Sequence, residues 1–317
     1  MTSFPLDSLP GMVEPIEQRL LERLAREISF QAGDCAVEFG AFFGKSTSFI
    51  AKGLASNKTR VPTLFVYDSF GCASDGNFQS QVIRSAQRGG VLNLVRRHNG
   101  RLDFYPVFHF YLREQLESGA VVPVQAELVN SHPPEGSLAF IHIDSPKTYT
   151  DFKPILFRFF TKMRVGATVV FQDFFYHWSA TLIAAVGGLI HLGFLEVRET
   201  AASSLVCVLL KPLDQASALE VDLRISSDDE VIKLIDYAVD CCQTISIDRP
   251  DIFVPRLQLA KFQWHMERGE GESAAEVVRL YFKKGNKLNQ SVFDDFLELT
   301  SNSFSIEKLY RLDHKAI

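Results

Sequence analysis

Apolar residues recur along this chain at two different spacings, and each spacing predicts a different element. Ile16, Leu20, Leu24 and Ile28 recur at helical spacing and predict an amphipathic helix over residues 12–29. Short continuous apolar runs follow, bounded by turn residues, and each run predicts a buried strand. The first run ends at Glu38, and the others cover Thr63–Tyr67, Val121–Gln125, Leu138–Ile143 and Ala167–Phe171. Such runs, alternating with helical patterns, indicate a parallel sheet with helices on both faces.

The pattern changes after Gly193, which predicts the end of a helix. Leu195–Thr200 alternates between apolar and polar residues, and Leu205–Leu210 returns after a turn and stops before Pro212. These two runs predict an antiparallel hairpin at one side of the sheet, within an α/β fold. The predicted segments are an N-terminal helical segment (1–32), an α/β domain (33–212) with an aromatic-rich insertion that covers the substrate (71–120), and an α-helical C-terminal region (213–317).

The composition is that of an ordinary globular protein. The 317 residues are 46% apolar and 22% charged, and the net charge of −5 argues against a nucleic-acid-binding surface. The five cysteines form no C-x-x-C pair, so a reducing cytosol is expected. The N-terminus has no signal-peptide pattern, and the longest apolar stretch, Leu182–Leu195, is short for a membrane span. We expect a cytoplasmic protein with neither nucleic acid nor membrane as a partner.

The segment Val37–Thr47 carries the clearest indication of a ligand. It predicts a strand, a turn with glycines at positions 40 and 44, and an apolar helix that begins near Ser46. A strand, a glycine turn and a helix in this order let the backbone approach a nucleotide-like ligand closely.

Two ligands compete for this turn, and a third interpretation is that the glycines serve only helix–strand packing. Gly40–Ser46 resembles a phosphate-binding Walker A loop, but it has three residues between its glycines where that loop has four. Glu38 near the turn would also repel a phosphate. S-adenosylmethionine (SAM) carries a sulfonium, an ammonium and a ribose diol, so an acid beside a glycine turn suits SAM better.

Acidic residues stand at or just after the C-terminal ends of five predicted strands. They are Glu38, Asp68, Glu127, Asp144 and Asp173. Ligands bind at this edge of an open α/β sheet. Asp68 follows Gly40 by 28 residues at the end of the second strand, where its carboxylate is placed to accept two ribose hydroxyls.

Four runs, taken in order and spacing, resemble one known family. Val37–Thr47, Phe65–Gly71, Ala139–Asp144 and Gly166–Asp173 resemble the macrocin-O-methyltransferase-like family of class I SAM-dependent methyltransferases. The resemblance covers residues 33–212. It implies a Rossmann-like seven-stranded sheet with a terminal antiparallel hairpin, SAM as the cofactor, and methylation of sugar or other natural-product hydroxyls, often with Mg²⁺. It also favours a homo-oligomer.

The resemblance also implies a set of site residues. The expected cofactor-binding residues are Glu38, Gly40, Ala41, Gly44, Ser46, Thr47, Asp68, Ser69, Glu127 and Asp144. The expected metal ligands are Asp144, Gln172 and Asp173. Asp144 and His177 are the candidate catalytic residues, with His177 as a general base. His142 suits that role less well because it lies inside an apolar strand.

The chain departs from the family pattern at two positions. Pro146 stands where the family has a second acid, its proposed general base. Gln172 replaces the first of two adjacent aspartates after the fifth strand. Two carboxylates and a glutamine carbonyl, completed by water, would hold Mg²⁺ more weakly than the family's carboxylate set.

Three hypotheses therefore follow from the sequence. The first is a SAM-dependent methyltransferase that acts on a small molecule, most simply at a hydroxyl. The second is a catalytically altered SAM-fold protein that serves as a binding or assembly partner, which the missing acid at position 146 motivates. The third is a P-loop nucleotide hydrolase that uses Lys45, with Ala139–Asp144 as its Walker B strand.

Overall fold

The computed structural model describes residues 8–74, 77–146, 148–224 and 226–284, with positions 286, 290 and 292. A seven-stranded sheet lies at its centre. Its strands in spatial order are β6 (Val121–Gln125), β2 (Leu64–Asp68), β1 (Asp34–Phe39), β7 (Ser137–Ile143), β8 (Met163–Phe171), β10 (Ser204–Leu209) and β9 (Leu195–Ala201). The first five are parallel, and β10 is antiparallel to both of its neighbours. This arrangement confirms the predicted α/β fold, including its terminal hairpin.

The direction in which strands are added reverses at β1. The chain passes from β1 outward to β2 and β6, and then returns to β7 on the other side of β1. Residues of β1 and β7 pair in parallel register, with Glu38 beside His142. A crevice at the carboxyl ends of two such strands is the usual ligand site of an open α/β sheet. The topology therefore places the end of β1 and the end of β7 at one candidate site.

Helices cover both faces of the sheet. One face packs against α1 (Pro15–Glu27), α2 (Lys45–Ala55), α3 (Asn77–Arg88) and α4 (Tyr105–Tyr111). The other packs against α6 (Tyr149–Pro154) and α7 (Ala180–His191). The central strands are buried on both sides, as all six residues of β1 show. This explains why their sequences are continuous apolar runs.

A small second sheet lies in the insertion between β2 and β6. Its strands, in the order β3 (Gly71–Ala73), β5 (Arg101–Asp103) and β4 (Arg96–His98), are antiparallel. The helix α5 (Arg113–Glu117) leads from this insertion into β6. Phe104 contacts Phe42 and Phe43 at ring-centroid distances of 5.5 and 5.8 Å, so the insertion packs directly on the loop after β1.

Further helices follow the hairpin: α8 (Gln215–Glu220), α9 (Asp228–Gln243), α10 (Pro250–Gln258), α11 (Ala260–Glu267) and α12 (Gly271–Lys283). Residues of α9, α10 and α11 belong to the same hydrophobic cluster as one face of the large sheet. A Cβ atom on Gly187 of α7 would lie 2.2 Å from the backbone oxygen of Leu234, so α7 and α9 are in close contact. The predicted domain limits remain a prediction. No described helix combines the length and the hydropathy that a membrane span requires.

Candidate functional site

The loop between β1 and α2 brings the end of β1 against the residues that follow β7. Gly40 and Gly44 adopt left-handed backbone angles, with φ of +85° and +92°. A Cβ atom on Gly40 would lie 2.5 Å from the Cβ atom of Ser145, closer than side chains can pack. Position 40 therefore requires glycine for its backbone angle and for this close approach. The predicted glycine turn is present, and it touches the segment that begins at Asp144.

Asp68 holds this loop in place from the end of β2. Its Oδ2 atom accepts the backbone N–H groups of Ala41 and Phe42 at 2.8 and 2.9 Å, and its Oδ1 atom accepts that of Phe70 at 2.6 Å. Burial raises the pKa of Asp68, and the charge of Glu38 acts in the same direction, against the three hydrogen bonds. A carboxylate offers about four acceptor positions, so this arrangement leaves one for a ribose hydroxyl where the sequence predicted two.

A chain of buried hydrogen bonds runs beneath the loop. Oγ1 of Thr47 donates to Oε2 of Glu38 at 2.5 Å. Oε1 of Glu38 lies 3.1 Å from Nδ1 of His142, and Nε2 of His142 lies 2.9 Å from Oε1 of Gln172. Thr47, Glu38 and His142 have no exposed surface, and Gln172 is 4% exposed. The chain therefore connects α2 with the adjacent strands β1 and β7 and with the end of β8.

Glu38 and Thr47 are fully buried and bonded to each other, and their contact with the cofactor stays a prediction. Burial alone would lower the pKa of His142, but the hydrogen bond and the charge of Glu38 raise it above its ordinary value. A protonated His142 donates from both ring nitrogens, which matches the oxygen atom on either side of the ring. Glu38 thus joins β1 to α2 through Thr47 and to β7 through His142.

The predicted magnesium site is not supported. Gln172 directs its amide oxygen to His142. Asp173 has a left-handed backbone with φ of +58°, and its Oδ1 atom lies 3.4 Å from Oγ of Ser203. No group of three or more His, Cys, Asp or Glu residues in the described part of the chain is arranged to hold a metal ion. The residues expected to bind Mg²⁺ therefore do not fit it.

The remaining predicted site residues differ in exposure: some are exposed at the carboxyl ends of the strands, and others are buried. Gly40, Ser69 and Asp144 are partly exposed, and Glu127 is exposed and forms an ion pair with Arg101 at 3.3 Å. Ala41, Gly44 and Ser46 are buried within the loop and the start of α2. The backbone of His177 begins a short 3₁₀ turn, His177–Ser179, but its side chain lies outside the described part of the structure. The structure therefore brings Gly40, Asp68, Ser69, Glu127 and Asp144 to the same edge of the sheet.

Residues 37–174 match the protein family described as a methyltransferase domain. This segment of the chain is therefore similar to a methyltransferase domain. The matched segment begins in β1 and ends just after β8, so it includes the glycine loop and every predicted site residue except His177. No curated protein matches the sequence.

Several solved structures are similar to the chain. The O-methyltransferase NovP is 18% identical over 61% of this chain and 78% of that chain, with a TM-score of 0.42. The calicheamicin methyltransferase CalS11 is 16% identical over 60% of this chain and 76% of that chain, with a TM-score of 0.42. An O-methyltransferase from Bacillus cereus in complex with SAH is 14% identical over 65% and 86%, with a TM-score of 0.31.

Phe42 is a residue of the matched segment that sequence reasoning missed. It has a left-handed backbone with φ of +51°, which is unusual for an aromatic residue. Its ring stacks on Phe43 with centroids 3.9 Å apart and meets the edge of Phe78 at 5.5 Å. Phe42 is partly exposed and Phe78 is 40% exposed. The sequence signal for an exposed aromatic ring was the pair of adjacent phenylalanines within a glycine turn, because one of the two rings must face outward.

The loop after β8 is supported by a helix from outside the matched segment. Tyr176 stacks on Trp178 with ring centroids 4.0 Å apart. The guanidinium of Arg256, in α10, lies 4.5 Å from the Tyr176 ring centre, and Arg256 is 6% exposed. The C-terminal helices thus contact the loop that carries Asp173 and continues past the end of the matched segment. This contact could not be predicted from the sequence, because the two segments are distant along the chain.

Proposed function

We propose that this protein transfers a methyl group from SAM to a hydroxyl of a small-molecule acceptor. One observation supports the proposal most directly. Within the methyltransferase domain, the glycine loop meets the segment after β7 at the point where strand order reverses, and Asp68 fixes that loop through its backbone N–H groups. Ligands of open α/β sheets bind at such a point.

The residues at this edge fit SAM better than a phosphate. Gly40 provides backbone without a side chain, so a ligand can approach closely. Asp68 and Asp144 are partly exposed residues, and their carboxylates would attract the cationic groups of SAM and repel a phosphate. We assign the ribose to Asp68 and Ser69, and the methionine part to the side of Asp144. Bound SAM would supply an activated methyl group.

The protein's own task is to orient the acceptor and remove its proton. Methyl transfer depends on the alignment of the attacking oxygen behind the methyl carbon, which is largely a matter of positioning. The O–CH₃ bond forms as the S–CH₃ bond breaks, and the hydroxyl proton passes to a base. We propose Asp144 or His177 as that base, because Pro146 has no acidic side chain to offer. By the family resemblance, the acceptor is a sugar or another natural product.

Calorimetric titration with SAM tests the cofactor half of the proposal. The wild-type chain should bind one SAM, and Asp68→Ala should bind it about tenfold more weakly, which corresponds to about 1.4 kcal/mol. Asp240, an exposed carboxylate of α9, offers a matched control, and Asp240→Ala should bind like the wild type. Absence of SAM binding to the wild type would exclude the proposal.

We call the ends of β7 and β8, with Asp144, Pro146 and Gln172, the catalytic edge. Its changed residues favour a second candidate, a SAM-binding protein that no longer transfers methyl groups. Pro146 and Gln172 replace two acids at this edge, according to the resemblance. Transfer of a labelled methyl group from SAM to any acceptor in a panel of glycosides and phenols would rule this candidate out. SAM binding without turnover of any acceptor, together with a stable complex with a second protein, would favour it. We also propose a homo-oligomer, which light scattering would test.

A further inference from the structure

We propose that the catalytic edge of this domain is held together by a buried Glu38–His142–Gln172 link and operates without a divalent metal ion. His142 is the positioning residue at the centre of this link. The inference rests on the proposed function, because it concerns how the same edge is organised for methyl transfer.

The link spans the ends of three neighbouring strands, next to the glycine loop between β1 and α2, which we call the cofactor loop. Glu38 and His142 are register partners on β1 and β7, and His142 pairs with Val170 of β8, two residues before Gln172. The backbone N–H of Gln172 also donates to the oxygen of Ile143 at 2.9 Å, so Gln172 continues the β8 edge. The His142 ring therefore bridges side chains across β1, β7 and β8. A metal ion bound at strand ends would serve the same purpose of fixing their relative positions.

The link and a metal ion compete for Gln172. Magnesium requires a near-octahedral set of oxygen ligands. The amide oxygen of Gln172 is buried and faces Nε2 of His142 at 2.9 Å. If that oxygen turned outward to a metal ion, a fully buried ring nitrogen of His142 would lose its partner, which is strongly unfavourable.

The neighbouring positions do not compensate for Gln172. Pro146 has no side-chain oxygen. Asp173 has a left-handed backbone, and its carboxylate lies beside Ser203, which in turn donates to the buried Glu17 at 2.8 Å. Asp144, which is partly exposed, is therefore the remaining expected ligand at this edge. One carboxylate is too few for a magnesium site.

Titration with MgCl₂ alone tests whether the domain binds a divalent metal ion, and it requires no methyl acceptor. Calorimetry on the full chain should show no saturable Mg²⁺ binding at millimolar concentrations, and EDTA should change neither the melting temperature nor SAM affinity. Saturable binding that Asp144→Asn abolishes and the exposed control Asp240→Asn retains would overturn it. This readout is independent of the proposed function, which fails instead if the wild type does not bind SAM.

Substitution within the link tests its positioning role. Gln172→Met keeps a side chain of similar length but cannot accept the hydrogen bond, and His142→Asn keeps a polar group that reaches one partner at most. Both should weaken SAM binding about tenfold, measured well below their melting temperatures. Val186→Ala opens a cavity in α7, away from the loop, and should lower the melting temperature while SAM affinity stays unchanged. Wild-type SAM affinity in both link variants would overturn the inference, as would an equal loss in Val186→Ala.

Discussion

The carboxylate of Asp68 accepts the backbone N–H group of Phe42 at 2.9 Å, and this bond joins the end of β2 to the loop after β1. Phe42 has a left-handed backbone and a partly exposed ring. The loop conformation thus depends on an acid that we also assign to cofactor binding. Stability of the loop and affinity for the cofactor should therefore change together when Asp68 is replaced.

Replacement of Asp68 should destabilise the protein measurably. Asp68→Ala leaves three backbone N–H groups without their acceptor, and we expect a loss of about 2–4 kcal/mol in the free energy of unfolding. Asp68→Asn keeps one oxygen and should lose less. Urea unfolding of both variants, with Asp240→Ala as the exposed control, measures the difference. Equal stability of Asp68→Ala and the control would show that the loop does not depend on this carboxylate.

Glu17 should make the protein's stability depend on pH. It is 2% exposed and accepts hydrogen bonds from Ser203, Ser204 and the backbone of Glu14. Burial raises its pKa above the ordinary value of 4.5, and the charge of Asp173 acts in the same direction. The folded state therefore holds this proton more tightly than the unfolded state. Its contribution to stability is complete below pH 4.5 and is lost as the pH rises through the raised pKa.

The variant Glu17→Gln removes this titration. Relative to the wild type, its melting temperature should rise between about pH 4 and 8, because the wild type loses the Glu17 contribution over this range and the amide does not titrate. The exposed residue Glu220 provides the comparison, since Glu220→Gln should leave the wild-type profile unchanged. Parallel profiles for Glu17→Gln and the wild type would contradict the prediction.

Most of the large sheet was predictable because its strands are buried on both faces. Leu138–Ile143 was predicted and differs from β7 by one residue. The strands of the small sheet were missed, because each has three residues and contains arginine or glycine instead of an apolar run. The start of β8 was also missed. It extends back to Met163, where Arg164 and Gly166 interrupt the apolar pattern.

The site was predictable to the level of strand ends but no further. The position of Asp68 at the end of β2 follows from local sequence, and the structure confirms that location. The burial of Glu38 depends on its register partner His142 and on Gln172, which are brought together by strand pairing between distant segments. Strands that are buried on both faces are continuous apolar runs without alternation, so their sequences do not specify the register between them. The sequence therefore suggested that Gln172 is a weak metal ligand, whereas in the structure its amide oxygen is a hydrogen-bond partner of His142.

The contact between α7 and α9 predicts different effects for two adjacent glycines. A Cβ atom at Gly187 would lie 2.2 Å from the backbone oxygen of Leu234, so one of the two helices must move. We expect Gly187→Ala to lose about 1–3 kcal/mol of stability. At Gly188 the nearest atom is Cγ1 of Val221 at 3.0 Å, a side-chain atom that can shift by a few tenths of an ångström.

Gly188→Ala therefore serves as the matched control. Alanine favours the helix over glycine by about 1 kcal/mol, which offsets the tighter contact with Val221. Its thermal unfolding should lie within a few degrees of the wild type, well above that of Gly187→Ala. Equal melting temperatures for the two variants would mean that α9 does not pack on α7 as the structure has it.

Arg256 should matter more than a second arginine that makes the same kind of contact. Arg256 is 6% exposed and lies over the Tyr176 ring at 4.5 Å, whereas Arg268 lies over Trp264 at 4.9 Å with 45% of its side chain exposed. A desolvated cation–π contact contributes about 2 kcal/mol and an exposed one about 0.5–1 kcal/mol. Arg256→Met, which keeps an apolar stem, should lose stability by the larger amount and Arg268→Met by the smaller.

The same pair of variants distinguishes an effect on the loop after β8 from a general loss of stability. Tyr176 belongs to the loop that carries Asp173, so loss of Arg256 should loosen that loop while the cofactor loop stays intact. Methyl transfer, measured with an acceptor found by the labelled-methyl screen, should therefore fall more in Arg256→Met than SAM affinity does. Arg268 contacts neither loop in the described structure, so Arg268→Met should change neither quantity beyond its small effect on stability. Equal losses of transfer in the two variants would show that α10 does not support the catalytic edge.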